Sequence, residues 1–190
     1  MPQSDMHRTR GYLPHYDGPS LTQHLVFRLA DALAPTTIDS LTSKPRTERL
    51  DAAEAALDLG LGARSLADPR VANLVQQALM RFDTERYNLL AWCVMPTHVH
   101  VLAAQVDGWS LASVIHSWKS FTANRANLLL ARKGRFWARD YFDRAMRNDR
   151  QLETAHLYIE ANPVAAGLCA NPEDWPWSSA SVRRSSPIGP

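Results

Sequence analysis

Two histidines one residue apart, His98 and His100, are the side chains of this sequence most readily read as chemistry. They lie in residues 87–104, YNLLAWCVMPTHVHVLAA, where two apolar runs flank Met95-Pro96-Thr97. That pattern predicts two antiparallel strands with a tight connection. Strand side chains alternate between faces, so both imidazoles project one way while Val99 and Val101 project the other. Two neutral imidazoles side by side form half of a metal site, although two polar residues on a solvated sheet face have the same spacing. A second pair lies downstream, where residues 150–162 predict a helix. Tyr158 and Asn162, four apart, share a face of it, and Leu152, Ala155 and Ile159 form an apolar stripe about a quarter-turn away. Packing through that stripe holds a phenol and an amide toward the sheet.

The elements that must position these residues can be read in order. Residues 1–19, polar and rich in Pro and Gly, predict an N-terminal arm. Alternation of Leu25, Phe27 and Leu29 with His24, Val26 and Arg28 predicts a first strand over 23–29. Residues 36–66 predict a helical insertion, because RTERLDAAEAALDL carries strong helix formers with Leu50, Ala53, Leu57 and Leu61 near helical spacing. Asp68-Pro69 supplies an N-cap and a proline at the first helical position, opening a helix that runs to about Asp83. After the strand pair, Ser110 caps a helix to about Ala131, buried through Leu111, Val114, Ile115, Trp118 and Phe121. A fourth strand falls within 137–146, and Asn148-Asp149 caps the last helix, with Pro163 as its stop. Residues 171–190 are expected to be a tail in which Trp175 and Trp177 cover the core before the chain frays. The order is strand, helix, strand, strand, helix, strand, helix. It predicts an α+β fold: a ferredoxin-like antiparallel sheet with helices on one face, plus the insertion and a C-terminal catalytic helix. One domain spans 20–170.

A hydrophobic fraction of 45% is that of a folded chain rather than a disordered one. No run approaches a membrane span, and the start has no apolar leader, so a cytoplasmic protein is expected. Cys93 and Cys169 are too few for a disulfide framework or a zinc cluster. Charge is unevenly distributed: residues 116–150 hold nine Lys or Arg against three acids, with aromatic residues interleaved. Such a block suits a polyanion whose bases can stack, and it also suits an ordinary solvated face.

Taken in series, M-P-T-H-V-H-V-L, W-K-S-F-T-A-N, G-R-F-W-A-R-D-Y-F-D, Y-I-E-A-N-P-V-A-A-G-L and D-W-P-W-S-S carry a resemblance. From about Tyr12 to Ser179 the chain resembles the REP-associated tyrosine transposases, in the single-tyrosine branch of the HUH endonucleases. The resemblance implies that His98 and His100 are metal ligands, that Tyr158 is the nucleophile and that Asn162 is a third, polar ligand. Thr97 stands where relatives commonly have Asn, and Ala165 where a Lys is frequent, which removes one expected phosphate contact.

It further implies a metal-dependent single-stranded DNA endonuclease and strand transferase acting beside small hairpins such as repetitive extragenic palindromes. The Tyr158 oxygen would attack in line to give a 5′-phosphotyrosine and a free 3′-hydroxyl. An N/O ligand set suits Mg²⁺ or Mn²⁺. Lys119, Arg125, Arg135, Arg139 and Arg144 are candidates for backbone contacts, and Trp137 for stacking. No general base can be named for Tyr158; His156 lies on a different helix face. Among relatives the REP-associated members look like monomers, and insertion-sequence transposases form dimers. Two other readings remain open at this point: a catalytically silent module binding single-stranded or hairpin DNA, and a structural metal site.

Overall fold

A computed structural model describes residues 7–9, 14–16 and 21–185 of the chain. Within the expected arm, β1 (His7–Thr9) and β2 (Pro14–Tyr16) pair antiparallel, and the rest of it lies outside the described residues. The main sheet has four antiparallel strands: β3 (Thr22–Arg28), β4 (Tyr87–Val94), β5 (His98–Gln105) and β6 (Phe142–Ala145), in the spatial order β4-β5-β3-β6. Numbered by chain position within the sheet, this is the 2-3-1-4 order of a ferredoxin-like plan. The β4–β5 hairpin closes where the Met95 N–H donates to the His98 carbonyl at 2.9 Å.

Register sorts the side chains onto two faces. Opposite residues in an antiparallel pair point the same way. Leu25 faces Val101 and Phe27 faces Val99, which makes one apolar face. Val26 lies opposite His100, Arg28 opposite His98 and His24 opposite Leu102, so the second face carries the histidines.

The apolar face is covered by α3 (Pro69–Met80) and α4 (Leu111–Leu129), both capped as expected. Asp68 accepts from the Arg70 N–H at 2.9 Å, and Ser110 accepts from the Ser113 N–H at 3.2 Å. Phe27, Trp118, Trp137 and Tyr87 interlock there, and the Trp118 indole N–H donates to the Tyr87 hydroxyl at 3.1 Å.

The histidine face is covered by the elements that elaborate the plan. The insertion forms α1 (Pro35–Ser43) and α2 (Arg46–Leu57), and a 3₁₀ turn at Ser65–Ala67 leads out of it. The last long helix is α5 (Asp149–Ala165). Its Ala155 and Ile159 pack on Ala91, Cys93 and Leu102 of the sheet. Full burial of one such aliphatic side chain contributes about 1.5–3 kcal/mol, enough to fix the rotation of the helix about its axis. Tyr158, one residue before the fully buried Ile159, is thereby held at the helix flank, 38% exposed.

Two expectations are revised. Pro163 lies inside α5 rather than stopping it, because so near the C-terminus it removes a single helix hydrogen bond. The helix ends at Ala165, and Gly167, at φ +68°, reverses the chain just beyond it. Nor does the chain fray directly after Trp177; residues 186–190 lie outside the described residues. Residues Ser179–Ser185 form α6, and buried Glu160 of α5 accepts from the Ser179 hydroxyl at 2.5 Å and from Arg183. The expected cover is present: the Trp175 indole donates to the Val94 carbonyl at 3.0 Å and the Trp177 indole to Asn73 at 2.9 Å. Among the described residues no helix is long and apolar enough to cross a membrane.

Candidate metal centre

β5 brings His98 and His100 together on the covered face, with their Nε2 atoms 2.9 Å apart and both rings buried. The Thr97 hydroxyl meets His98 Nδ1 at 3.0 Å and fixes that ring from behind. The other nitrogen of His100 faces a second group. His100 Nδ1 is 3.2 Å from His24 Nε2 and 3.4 Å from Glu54 Oε1, and His24 Nε2 is 3.5 Å from the same oxygen. The ligand atoms of His24, Glu54 and His100 all lie within 4.8 Å of one another, close enough to hold a divalent ion.

Electrostatics favour that use. Burial holds the His24 imidazole well below its ordinary range, and the neighbouring His100 and then Arg144 act in the same sense. Burial and then His100 do the same to His98. Imidazoles kept neutral have a lone pair to donate. Glu54 Oε1 is buried with no hydrogen bond of its own, yet two imidazole nitrogens face it. An orphaned carboxylate oxygen facing two ring nitrogens fits a cation. The nitrogen and oxygen donors lack thiolate, the set that harder divalent ions accept.

Tyr158 closes the cluster. Its ring centroid is 5.9 Å from that of His100 and 6.1 Å from that of His24. Burial of the hydroxyl and the nearby Glu54 carboxylate push the phenol above its ordinary range; a hydrogen bond with Asn162 pulls the other way, and Asp58 adds to the rise. Asn162 is buried one turn on, and its amide also donates to the Tyr158 carbonyl at 3.3 Å. His156 points away from this group, toward Glu160 and Arg183.

His24 and Glu54 were not singled out from sequence as site residues. For Glu54 a signal existed: with Leu50, Ala53 and Leu57 it falls at i, i+3, i+4 and i+7, so a carboxylate sits in the apolar stripe of α2. For His24 the signal was only strand alternation, which does not reveal the β3–β5 register.

The residues expected to meet DNA divide into two groups. Arg125, Arg135 and Arg139 are exposed, and the Arg125 guanidinium lies 4.3 Å from the Phe121 ring centroid on α4, across the sheet from the histidines. The others are engaged within the fold. Lys119 Nζ donates to the Arg139 carbonyl at 2.9 Å. Arg144 pairs with Asp51 at 2.8 Å and donates to the Thr47 carbonyl of α2 at 3.1 Å. Trp137 does not offer a stacking face: it is 4% exposed, packs on Phe27 and Phe136, and donates its indole N–H to Thr122 at 2.9 Å. Its apolar ring gains more from the core than from a surface position.

With this geometry in place, likeness to known proteins can be stated. The family described as Transposase IS200 like matches residues 65–162, just over half of the chain, and the matched stretch includes both histidines of β5, Tyr158 and Asn162. The chain belongs to the IS200-like transposase family. A relative from Haemophilus influenzae named as a REP-associated tyrosine transposase is 26% identical over 106 residues, 49% of this chain and 58% of the relative. The chain therefore spans less than two thirds of that curated relative. A solved structure of a REP-associated tyrosine transposase bound to a REP hairpin superposes with a TM-score of 0.64, covering 96% of this chain and 89% of that one at 17% identity. At that identity the likeness is one of fold, and it runs over nearly the whole chain. His24 and Glu54 precede the matched stretch.

Proposed function

We propose that this IS200-like transposase is a metal-dependent single-stranded DNA endonuclease and strand transferase that acts at hairpin, REP-like sequences through a 5′-phosphotyrosine on Tyr158. The observation that carries the reading is the convergence of a half-exposed phenol with buried imidazoles and an orphaned carboxylate oxygen. Two donor sets meet on His100, and a single ion would take one of them: Nδ1 with His24 and Glu54, or Nε2 with His98 and Asn162. Mg²⁺ or Mn²⁺ held there would supply positive charge to offset the negative charge that develops on the phosphate during attack.

The chain's own residues do the rest. Ile159 fixes the rotation of α5, so the Tyr158 oxygen is presented at the edge of the cluster where a strand can reach it. Attack forms the phosphorus–tyrosine bond and breaks the bond to the 3′ oxygen. The phenol loses a proton and the departing 3′ oxygen gains one, so the exchange is balanced. The bond energy stays in the phosphotyrosine, and a 3′-hydroxyl can reverse the step without a nucleotide cofactor. Asn162, hydrogen-bonded to the phenol, holds the ring in its attacking rotamer. Exposed Arg125, Arg135 and Arg139 contribute backbone contacts. A cluster that is complete within one chain favours a monomer over a dimer that shares its sites, acting on DNA in the cytoplasm.

The test is incubation with single-stranded hairpin DNA and Mn²⁺, read by denaturing gel and intact protein mass. A cut strand and a nucleotide adduct on Tyr158 are expected, both lost with EDTA and with Tyr158→Phe, which still binds DNA. Binding without an adduct, across hairpins that include the host's own repeats, overturns the enzyme in favour of a binding module.

A further inference from the structure

Phe121 is expected in the buried stripe of α4, yet it is 43% exposed, and Met80, the last residue of α3, is 41% exposed. Both open onto one groove of about 750 Å³ between α3 and α4, on the side of the sheet away from the histidines. That volume lies within the range of about 300–1,000 Å³ typical of ligand pockets. Leu74 and Ala78 add hydrocarbon to its lining, and Arg81 and Arg125, both exposed, add charge.

Helical spacing builds the groove. Leu74, Ala78 and Arg81 fall at i, i+4 and i+7, on one face of α3 and its C-cap. Seven residues at 1.5 Å each give a length of about 10 Å, enough for about three extended residues of a second chain. On α4, Phe121 and Arg125 are four apart, and the guanidinium lies 4.3 Å from the ring centroid.

Composition decides what such a groove receives. Interface cores between proteins are enriched in aromatic residues, Met and Arg and depleted in Lys, Asp and Glu. The described lining holds Phe, Met and two Arg, with no Lys, Asp or Glu. A nucleic-acid backbone makes no use of an aliphatic floor. Phe121 is the only ring among the described lining residues, and Arg125 already lies against it. Two guanidinia with no acidic side chain in the lining complement negative charge on the occupant.

We propose that this groove docks a short acidic segment of a partner protein, with an apolar side chain seated on Met80 and Phe121 and flanking carboxylates paired with Arg81 and Arg125. Docking there leaves the histidine face free, so a partner and a DNA strand can be held together. The inference does not depend on the chemistry of Tyr158. Of the cations proposed above as DNA contacts, only Arg125 lines the groove, so the test turns on Arg81 and Phe121.

The probe is a fluorescein-labelled peptide of three aspartates followed by leucine and phenylalanine, titrated with the protein and read by anisotropy. One control peptide has lysines for the aspartates, and another has serines for the two apolar residues. Saturable binding of the acidic apolar peptide is expected, at least about tenfold tighter than either control. Arg81→Glu should weaken it about tenfold and bring the lysine peptide to the tighter binding, a reversal that lost folding cannot produce. Phe121→Ser should also cost about tenfold, and both variants should hold hairpin DNA within about twofold of wild type. Equal binding of the three peptides, or an affinity indifferent to both substitutions, overturns the proposal. So does an oligothymidylate strand that displaces the peptide and itself binds Arg81→Glu about tenfold more weakly, which assigns the groove to nucleic acid.

Discussion

Replacing Glu54 by Gln separates the two roles of its carboxylate, because the shape is kept and the charge removed. Oε1 is buried, has no hydrogen bond and faces two imidazole nitrogens at 3.4 and 3.5 Å. Without metal, the desolvated group is a liability of about 1–3 kcal/mol. Glu54→Gln is therefore predicted to stabilise the metal-free protein, by about 2–4 °C in Tm for each kcal/mol in a chain of this length. With Mn²⁺ the sign changes. At a hundred times Kd, binding stabilises the wild-type fold by about 2.7 kcal/mol, a rise of roughly 5–11 °C. Exchanging the charged oxygen for a neutral amide lowers metal affinity by about 10- to 100-fold, the scale seen even for groups that only support a ligand. At the same Mn²⁺ concentration the stabilisation then falls to about 1.4–0.4 kcal/mol. The assay is scanning calorimetry of both proteins in EDTA and in Mn²⁺. An equal Mn²⁺-induced rise in the two proteins would refute the placement of Glu54 at the ion. So would a variant that melts lower than wild type by the same margin in EDTA and in Mn²⁺.

Three further outcomes are expected. Trp137→Phe keeps the buried ring but loses the hydrogen bond to Thr122, so urea unfolding should show a loss of about 1–3 kcal/mol with hairpin affinity unchanged; reduced affinity at wild-type stability would return Trp137 to the DNA interface. Burial holds the Lys119 ammonium down to about 8, against the opposing pull of Asp140. Between pH 8 and the ordinary lysine range near 10.4 the unfolded chain holds a proton that the folded chain has released, so stability rises with pH across that window. Lys119→Met should flatten the rise in denaturant titrations at stepped pH, and an identical slope in both proteins contradicts the buried ammonium. Gly62→Ala meets the Asp31 backbone, whereas Gly60→Ala, at φ +64°, meets open space. Gly60→Ala should cost about 1–2 kcal/mol and Gly62→Ala more, and equal losses in urea would mean that the loop is not pinned to Asp31.

Local chemistry accounts for what the sequence by itself determined. The β4–β5 hairpin, the caps of α3 and α4 at Asp68 and Ser110, and the shared face of Tyr158 and Asn162 all depend on neighbours within about one helical turn or one strand. Periodicity, capping side chains and turn residues act over that range, so they are written in the chain. The pairing of His98 with His100 on one face follows from strand alternation in the same way. Tertiary structure decided the rest, because it depends on contacts distant in sequence. Only the antiparallel register of β3 against β5 sets His24 beside His100, since a slip of one residue would turn it to the other face. Only the docking of α2 over that face turns Glu54 from an oddity in an apolar stripe into a carboxylate aimed at two imidazoles. The same competition withdrew Trp137, whose ring could serve a core or a base equally well by composition. Packing against Phe27 and the hydrogen bond to Thr122 decided for the core.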